Sequence, residues 1–325
     1  MTRDTHTPVL IAEVLKVLSP TDGETYVDAT FGRGGYTRAI LNAANCRVIA
    51  LDCDEAAVPH ATALKASYAQ RFDFVRARFG QIHKHLTALP HAGQGVDGIV
   101  ADFGVSSPQL DEADRGFSFF HEGPLDMRMD RTELHTAAHA VNTYPEEELI
   151  RIFRHYGEEP RARAIARAIV ADRTETPFTT TKQLASLVAR VARYGHKKTH
   201  PATRVFQALR IEVNQELDEI DRLLDQSLMS LRANGRLICV SFHSLEDRRV
   251  KQFMKMHTQP RTHTNKYKNT VTHNNDLAHY AFDLITHKSI TASQDELANN
   301  PRARSAKLRA ARRLLSSSSQ GGVLA

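Results

Sequence analysis

The sequence predicts an α/β fold in which a parallel sheet carries an inserted helical domain. A short apolar strand runs into a glycine-rich loop and then a helix pattern at residues 26–36 (YVDATFGRGGY). Strand-like and helix-like segments then alternate to about residue 102. More than a hundred mostly helical residues separate the fourth strand from the fifth. Such alternation indicates parallel strands joined by right-handed crossovers.

The strands are predicted at residues 25–29, 47–52, 72–76, 97–102 and 236–242, the last after the turn Ala233-Asn234-Gly235. Segments 281–290 and 305–314, joined by NNPRAR, are candidate closing strands. We therefore assign residues 1–109 and 211–315 to a discontinuous core and residues 110–210 to the insertion. Residues 257–276 are polar and predict a mobile loop, and the Ser- and Gly-rich tail 316–325 predicts disorder.

The insertion shows four helical segments. Pro145 and the three acids after it start a helix that ends near Tyr156, because acids in a first turn complement the helix dipole. The others cover residues 160–173, residues 179–195 from threonine caps to Gly195, and residues 201–231 as one or two helices.

The composition is that of an ordinary globular protein. Of the 325 residues, 41% are apolar and 25% charged. No apolar run approaches the roughly 20 residues that span a bilayer, and the first residues lack a signal-peptide pattern, so we expect a cytoplasmic protein without a membrane partner. Cys46, Cys53 and Cys239 form no C-x-x-C and predict reduced, buried thiols.

Positive charge is concentrated in one part of the chain. The net charge is +6, yet residues 151–210 alone carry thirteen Lys or Arg against four Asp or Glu. A basic segment of this kind indicates a nucleic-acid partner, with Arg161, Arg163 and Arg167 as candidate RNA contacts. The alternative is a set of solvated helix faces.

The glycine loop indicates a nucleotide-type ligand. Gly32, Gly34 and Gly35 allow the backbone to approach a ligand closely. Asp52 lies twenty residues after Gly32, where an acid can accept hydrogen bonds from ribose hydroxyls. The order G-x-G-G lacks the third glycine of the dinucleotide fingerprint, and Asp28 before the loop suits a cation better than a pyrophosphate. S-adenosylmethionine is therefore favoured; NAD, FAD or a loop without ligand are the alternatives.

The loop after the fourth strand, DFGVSSPQLD, supplies candidate catalytic groups. Ligands of open α/β sheets bind beyond the carboxyl ends of the strands, where Asp28, Asp52 and Asp102 are expected to converge. Asp102, Ser106 and Ser107 offer hydrogen-bond acceptors for a target amine. The loop after this strand contains no cysteine, so a covalent route through a thiolate has no nucleophile here. His243, after the fifth strand, is a further catalytic candidate or a structural histidine.

Several ordered blocks carry a resemblance to a known family. The blocks are HTPVLIAEVL, DATFGRGG, DFGVSSPQLD, RGFSF, GPLDMRMD, YGEE, HPATRVFQALRIEVN, SFHSLEDR and NPRARSAKLRAA, spread from residue 6 to residue 311. The chain resembles the bacterial 16S rRNA cytosine-N4 methyltransferase family, known as RsmH or MraW. The resemblance implies a Rossmann-like class I methyltransferase sheet that uses S-adenosylmethionine and methylates a cytosine N4 near the decoding centre of the small ribosomal subunit.

The resemblance also implies site residues. The family's cofactor residues map onto Gly34, Gly35, Tyr36, Asp52, Phe79, Asp102 and Gln109. The family commonly has His where this chain has Tyr36, which puts a side-chain contact at that position in doubt. Residues Asp126, Met127 and Arg128 lie just past the cofactor loop and are expected to help form the base pocket, unless they only connect two elements.

Other interpretations were weighed against this one. His135 and His139 have i, i+4 spacing but no third ligand, so no metal site is predicted. An NAD-dependent oxidoreductase would not explain the basic segment, and a non-catalytic RNA-binding assembly factor would not explain three acids at strand ends. A homodimer is an open alternative to a monomer.

Overall fold

The protein, seen in a computed structural model, is described at residues 8–192, 200–258 and 281–315. It consists of two compact units, residues 1–104 with 218–325 and residues 105–217. The second unit extends past the predicted insertion at both ends. Asn214 belongs to it because its side-chain amide donates to Met127 O (2.7 Å) and accepts from Met129 N (2.7 Å). Val105 belongs to it because its side chain packs against the core of this unit.

The first unit is built on a seven-stranded sheet of order β3-β2-β1-β4-β5-β7-β6. The strands are β1 (Thr25–Asp28), β2 (Arg47–Asp52), β3 (Phe72–Arg76), β4 (Val96–Asp102), β5 (Leu231–Ser241), β6 (Phe282–Leu284) and β7 (Lys307–Arg313). Strands β1 to β5 run parallel, while β7 is antiparallel to both β5 and β6. The predicted Rossmann-like α/β class is confirmed.

The last three strands differ in detail from the prediction. Strand β5 begins at Leu231, five residues before the predicted start, and the predicted turn lies inside it. There, Asn234 has a positive φ of 67° and the register with β4 shifts, so the turn is a bulge in a longer strand. Only three residues of the predicted strand 281–290 are extended. The predicted connection NNPRAR includes the end of a helix and a 3-10 turn rather than a simple loop.

Helices pack around this sheet. They are α1 (Ile11–Leu18), α2 (Gly35–Ala43), α3 (Val58–Tyr68), α4 (Ile82–Thr87), α12 (Ser244–Met256) and α13 (Gln294–Asn299), and most of α11 (Glu216–Ser230). The inner strands are covered on both faces: Ile49, Ala50 and Leu51 of β2 are all fully buried. Because both faces are buried, this strand reads in the sequence as a continuous apolar run rather than an alternating one.

The second unit is helical. Its helices are α5 (Ser107–Asp111), α6 (Ala137–Thr143), α7 (Glu146–His155), α8 (Ala162–Asp172), α9 (Thr181–Ala192) and α10 (Thr203–Asn214). Helix α7 has the predicted acids in its first turn and buries Leu149, Ile152 and Phe153, which share one face at i, i+3 and i+4 spacing. Helices α10 and α11 are separate, as one of the two predictions had it, because Gln215 between them has a φ of 53°.

Some sequence predictions fall outside the described residues: Gly195 as a helix end, residues 259–276 of the predicted mobile loop, and the tail 316–325. Cys46 and Cys239 are buried, as predicted, while Cys53 is only half-buried. Within the described ranges, none of the helices has the length and apolar character needed to cross a membrane.

Candidate functional site

The carboxyl edge of the parallel sheet brings together the strand ends that carry acids. Asp28 ends β1, Asp52 ends β2 and Asp102 ends β4, and β1 pairs with both other strands. Since parallel strands end at the same edge, the three residues are neighbours in the first unit, as predicted. Their carboxyl groups nevertheless have three different environments.

The Asp28 carboxyl group is fully buried and holds the glycine loop. Its Oδ2 accepts hydrogen bonds from Thr37 N (3.1 Å) and Thr37 Oγ1 (2.7 Å), and its Oδ1 accepts from Thr30 N (3.3 Å). Burial raises the pKa of Asp28 to about 6, and the hydrogen bonds from Thr37 act in the opposite direction. The expectation that Asp28 faces the ligand crevice is therefore corrected: it ties β1 to the start of α2.

Asp52 lies beside the same loop but is only partly buried. Its Oδ2 accepts from Gly32 N (2.7 Å) and its Oδ1 accepts from Asp54 N (2.8 Å). Burial raises the pKa of Asp52 to about 6, against these backbone hydrogen bonds. A carboxylate oxygen accepts two hydrogen bonds, so each oxygen keeps capacity for a donor such as a ribose hydroxyl.

Asp102 has the most perturbed carboxyl group at this edge. Its backbone N–H donates to Thr30 Oγ1 (2.7 Å), while its Oδ1 is buried without a hydrogen-bond partner among the residues that the structure describes. Burial holds the pKa of Asp102 well above its usual range, and the nearby charges of Asp28 and Glu246 act in the same direction. A buried acceptor without a donor costs free energy, so this oxygen is suited to a donor or cation brought by a ligand.

The predicted residues Gly34 and Gly35 are glycines for steric reasons. Gly34 has a φ of 76°, and a Cβ there would lie 2.7 Å from the Phe31 ring. A Cβ on Gly35 would lie 2.3 Å from Pro8 Cγ. The loop can therefore turn sharply into α2, which places the backbone N–H groups of its first turn at the carboxyl edge of the sheet.

The side chain of Tyr36 is packed inside the protein. It is only 4% exposed, and its hydroxyl donates to the backbone oxygen of Val9. The ring belongs to the core beside α1 and α2. The predicted cofactor contact at Tyr36 is thus available to its backbone alone, and the side chain has a structural role.

Phe79 lies in a 3-10 turn, Phe79–Gln81, after β3. Its half-buried ring is 6.0 Å from the ring of Phe103, the residue that follows Asp102. The turn is held by Glu219, whose carboxylate accepts from Gly80 N (2.8 Å). The predicted residue Phe79 therefore supplies an apolar face next to the end of β4.

His243 and Glu246 form a pair at the start of α12. Glu246 is completely buried, and its Oε2 accepts from Phe242 N (2.7 Å) and His243 N (3.2 Å). Its Oε1 lies 2.9 Å from His243 Nε2. His243 was a predicted site residue and Glu246 was not, although a cap residue followed by a Glu three positions later is a signal that the sequence carries.

Ser106, Ser107 and Gln109 belong to the second unit, at the start of α5. The Ser106 side chain caps the backbone of Gln109, and Gln109 Oε1 accepts from Ser106 N (2.9 Å). These contacts form a capping box, which was not among the sequence predictions. The predicted contacts of the three residues with cofactor or substrate stay predictions.

The segment 126–128 is more rigid than a simple connector. Arg128 Nε and Nη2 bind the two oxygens of Asp126, each at 2.7 Å, in a bidentate ion pair. Met127 has a φ of 64° and is completely buried in the core of this unit. The expectation that the Met127 side chain lines a base pocket is therefore corrected, whereas Asp126 and Arg128 keep partly exposed polar groups.

The basic segment is balanced by acids of its own unit. Residues 105–217 contain sixteen Lys or Arg and sixteen Asp or Glu. Arg167 Nε lies 3.9 Å from Glu146, and Arg161 Nη1 donates to the backbone oxygen of Val191 (3.0 Å). Arg163 is exposed and has no acidic partner in the described part of the chain. Of the three predicted RNA contacts, Arg163 thus presents the least compensated charge.

The carboxyl edge fits the predicted cofactor. A Cβ on Gly32 would meet no atom within 4 Å, so this side of the loop is open to a ligand. Asp52 offers acceptors for hydroxyl groups, and the unpartnered Oδ1 of Asp102 offers an acceptor for a cationic or amino group. This donor and acceptor set matches the ribose and the positive charge of S-adenosylmethionine.

Comparison with known proteins places the chain in a family. Residues 3–314 match the MraW methylase family. The chain is similar to Ribosomal RNA small subunit methyltransferase H of Parvibaculum lavamentivorans, with 50% identity over 309 residues that cover 95% of this chain and 89% of that protein. The protein of the same name from Maricaulis maris is 48% identical, covering 94% of this chain and 90% of its own length. For Bradyrhizobium diazoefficiens the identity is 49%, with coverages of 95% and 91%. On this similarity, which spans nearly the whole length of the chain, the protein is a member of the MraW methylase family.

Proposed function

We propose that this protein transfers a methyl group from S-adenosylmethionine to the exocyclic N4 of a cytosine in small-subunit (16S) rRNA, near the decoding centre. Family membership supports the reaction, and the relatives named above are by name methyltransferases of small-subunit ribosomal RNA. The assembling small subunit is the proposed substrate particle, and the cytoplasm is the proposed compartment.

The observation that carries the proposal is the buried Oδ1 of Asp102, which lacks a partner in the described part of the chain. It lies at the end of β4, beside the strand that leads into the glycine loop. Methyl transfer to an amine needs an acceptor that orients the N–H groups and takes up positive charge as the nitrogen becomes tetrahedral. Asp102 supplies that acceptor.

The residues of the first unit divide the remaining tasks. S-adenosylmethionine, when bound, supplies an electrophilic methyl group on a sulfonium centre. Asp52 and the open side of Gly32 hold the ribose of S-adenosylmethionine, and Phe79 packs against the same end of the cofactor. Asp102, whose pKa is raised by burial, is suited to accept the proton that N4 loses, because a raised pKa makes a stronger base.

His243 supports this acceptor from a neighbouring strand. Burial raises the pKa of Asp102, the negative charges of Asp28 and Glu246 act in the same direction, and the Glu246 carboxylate accepts a hydrogen bond from His243 N (3.2 Å). We assign His243 and Glu246 to positioning at the carboxyl edge.

The RNA must present an unstacked cytosine, because an exocyclic amine within a base-paired helix cannot reach a buried acceptor. We assign RNA recognition to the second unit, with exposed residues such as Arg163 in contact with phosphates. Asp126 and Arg128 of the same unit are proposed as substrate-binding residues.

The test is a mass map of modified nucleosides in small-subunit rRNA from cells with and without the protein. Purified protein is then added to particles from the deficient cells with labelled S-adenosylmethionine. We expect one cytosine to gain a methyl group on N4, and the Asp102→Ala variant to lose transfer while keeping its fold. An unchanged nucleoside map, or label on a different atom, would contradict the proposal.

A further inference from the structure

Three rings in the second unit form a stack with one face exposed. Phe120 is 76% exposed, and its ring centroid lies 5.0 Å from that of Phe119, with 34° between the planes. The Phe119 ring lies 4.6 Å from the imidazole of His200, with 29° between the planes. An exposed ring backed by two others offers a flat apolar face on which a ligand ring can stack.

The rings behind Phe120 are held in place. Phe119 meets the edge of Phe206 at 5.0 Å and 75°, and Phe206, in α10, is only 4% exposed. His200 Nδ1 accepts a hydrogen bond from Ala202 N (3.1 Å), which fixes the orientation of the imidazole at the start of α10. The stack is therefore built before any ligand arrives, and binding on Phe120 would order few additional side chains.

We propose that Phe120 is a stacking platform for an unpaired nucleobase of the RNA substrate. The inference rests on the proposed function and adds a subsite to it. Single-stranded RNA is bound mainly by aromatic side chains on which bases stack and by nearby positive charge.

A positive charge lies on the helix that supports the stack. Arg204 is exposed at the start of α10, the helix that also carries Phe206. Its Nη1 donates to the backbone oxygen of Glu158 (3.0 Å), a contact that orients the guanidinium without neutralising it with a carboxylate. Arg204 is therefore the candidate phosphate contact for a strand whose base lies on Phe120.

A nucleobase fits this surface better than a protein partner does. Protein docking surfaces present contiguous apolar patches. Phe120 is instead followed in the chain by the polar residues His121 and Glu122, and Phe119 before it is half-buried. A single flat ring with polar surroundings matches the size and the polar edges of one base.

The test compares Phe120→Ala, Phe120→Tyr and Leu134→Ala in the full-length protein. The Leu134 side chain is 93% exposed in the same unit but has no ring, so it controls for the loss of exposed apolar surface. Binding of a fluorescein-labelled single-stranded oligoribonucleotide that carries the small-subunit target region is measured by anisotropy. We expect Phe120→Ala to weaken binding about 10-fold, Phe120→Tyr to stay within about 2-fold of wild type, and Leu134→Ala to bind as wild type.

Three further measurements complete the test. For methyl transfer to small-subunit particles, Phe120→Ala should raise KM about 10-fold with the S-adenosylmethionine affinity unchanged. If Phe120→Ala binds the oligonucleotide as tightly as wild type, the platform is ruled out. The same holds if Leu134→Ala loses as much oligonucleotide affinity as Phe120→Ala. If sedimentation shows that Phe120→Ala separates a dimer into monomers, the ring contacts a second copy and the inference is also wrong. Oligonucleotide binding does not depend on transfer, so a wild-type protein that binds RNA without methylating it contradicts the proposed function alone.

Discussion

The hydrogen bond between Thr37 and Asp28 allows a quantitative prediction. Thr37 is fully buried, and its Oγ1 donates to Asp28 Oδ2 at 2.7 Å. Thr37→Val replaces the hydroxyl by a methyl group of nearly the same size, so the change removes one donor and little else. The carboxyl group keeps its bonds from the backbone N–H groups of Thr37 and Thr30.

The loss of unfolding free energy in Thr37→Val should depend on pH. Burial raises the pKa of Asp28 to about 6, above its unfolded value, so the folded protein binds the proton more tightly. Wild-type stability from this group is therefore fully present below about pH 4 and falls as pH rises through about 6. A hydrogen bond to a charged carboxylate contributes about 2.5 kcal/mol to the free energy of unfolding, and a hydrogen bond to a neutral carboxylic acid contributes about 1 kcal/mol. Thr37→Val should thus lower the free energy of unfolding more at pH 8 than at pH 5, and raise the pKa of Asp28 by about one unit.

The assay is urea unfolding of both proteins at pH 5 and pH 8. Thr62→Val is the matched control, because the Thr62 hydroxyl donates to Val58 O (3.0 Å) at an exposed position of α3. We expect this control to change the free energy of unfolding by less than about 0.5 kcal/mol at either pH. An equal loss at both pH values for Thr37→Val would show that Asp28 does not change its ionisation in the folded protein between them, and no loss would show that the bond contributes nothing.

Three further predictions concern single side chains. Asp52→Asn removes the charge that faces Gly32 N, so S-adenosylmethionine affinity measured by calorimetry should fall about 10-fold or more; an unchanged affinity would exclude Asp52 from the ribose site. Tyr36→Phe removes the donor to Val9 O and should cost about 1 kcal/mol in thermal or urea unfolding, with the cofactor affinity unchanged; a large loss of affinity would mean that the side chain contacts the ligand. Arg163→Glu should weaken RNA binding several-fold and lower the slope of log affinity against log salt concentration by about one, while urea unfolding stays normal. A destabilised variant would instead show that this arginine has a structural role.

Much of the first unit could be predicted because its local signals agree with its tertiary environment. The run RVIALD is apolar at successive positions, and the structure buries it on both faces of β2. Strands β1 to β4 consequently lie within a residue of their predicted bounds. Strand β5 was predicted too short because the Asn234 bulge resembles a turn in sequence, and only pairing with β4 keeps it within the strand.

The site was predicted in its position but not in its chemistry. The strand ends indicated where Asp28, Asp52 and Asp102 lie, since parallel strands end at one edge. Their environments depend on residues distant in the chain: Thr37 and Thr30 enclose Asp28, and Glu246 raises the pKa of Asp102 from beyond β5. No local pattern reports such contacts.

The amino-acid order alone determined the α/β class, the glycine loop, the family resemblance and the basic segment, because each is a pattern of residues along the chain. Only the tertiary structure decided which acid is a structural anchor and which keeps an unpartnered oxygen. It also placed the Tyr36 side chain in the core, and it showed that acidic residues of the same unit balance the charge of the basic segment. Desolvation and ion pairing are properties of what surrounds a group in space, and the chain brings those surroundings together only when it folds.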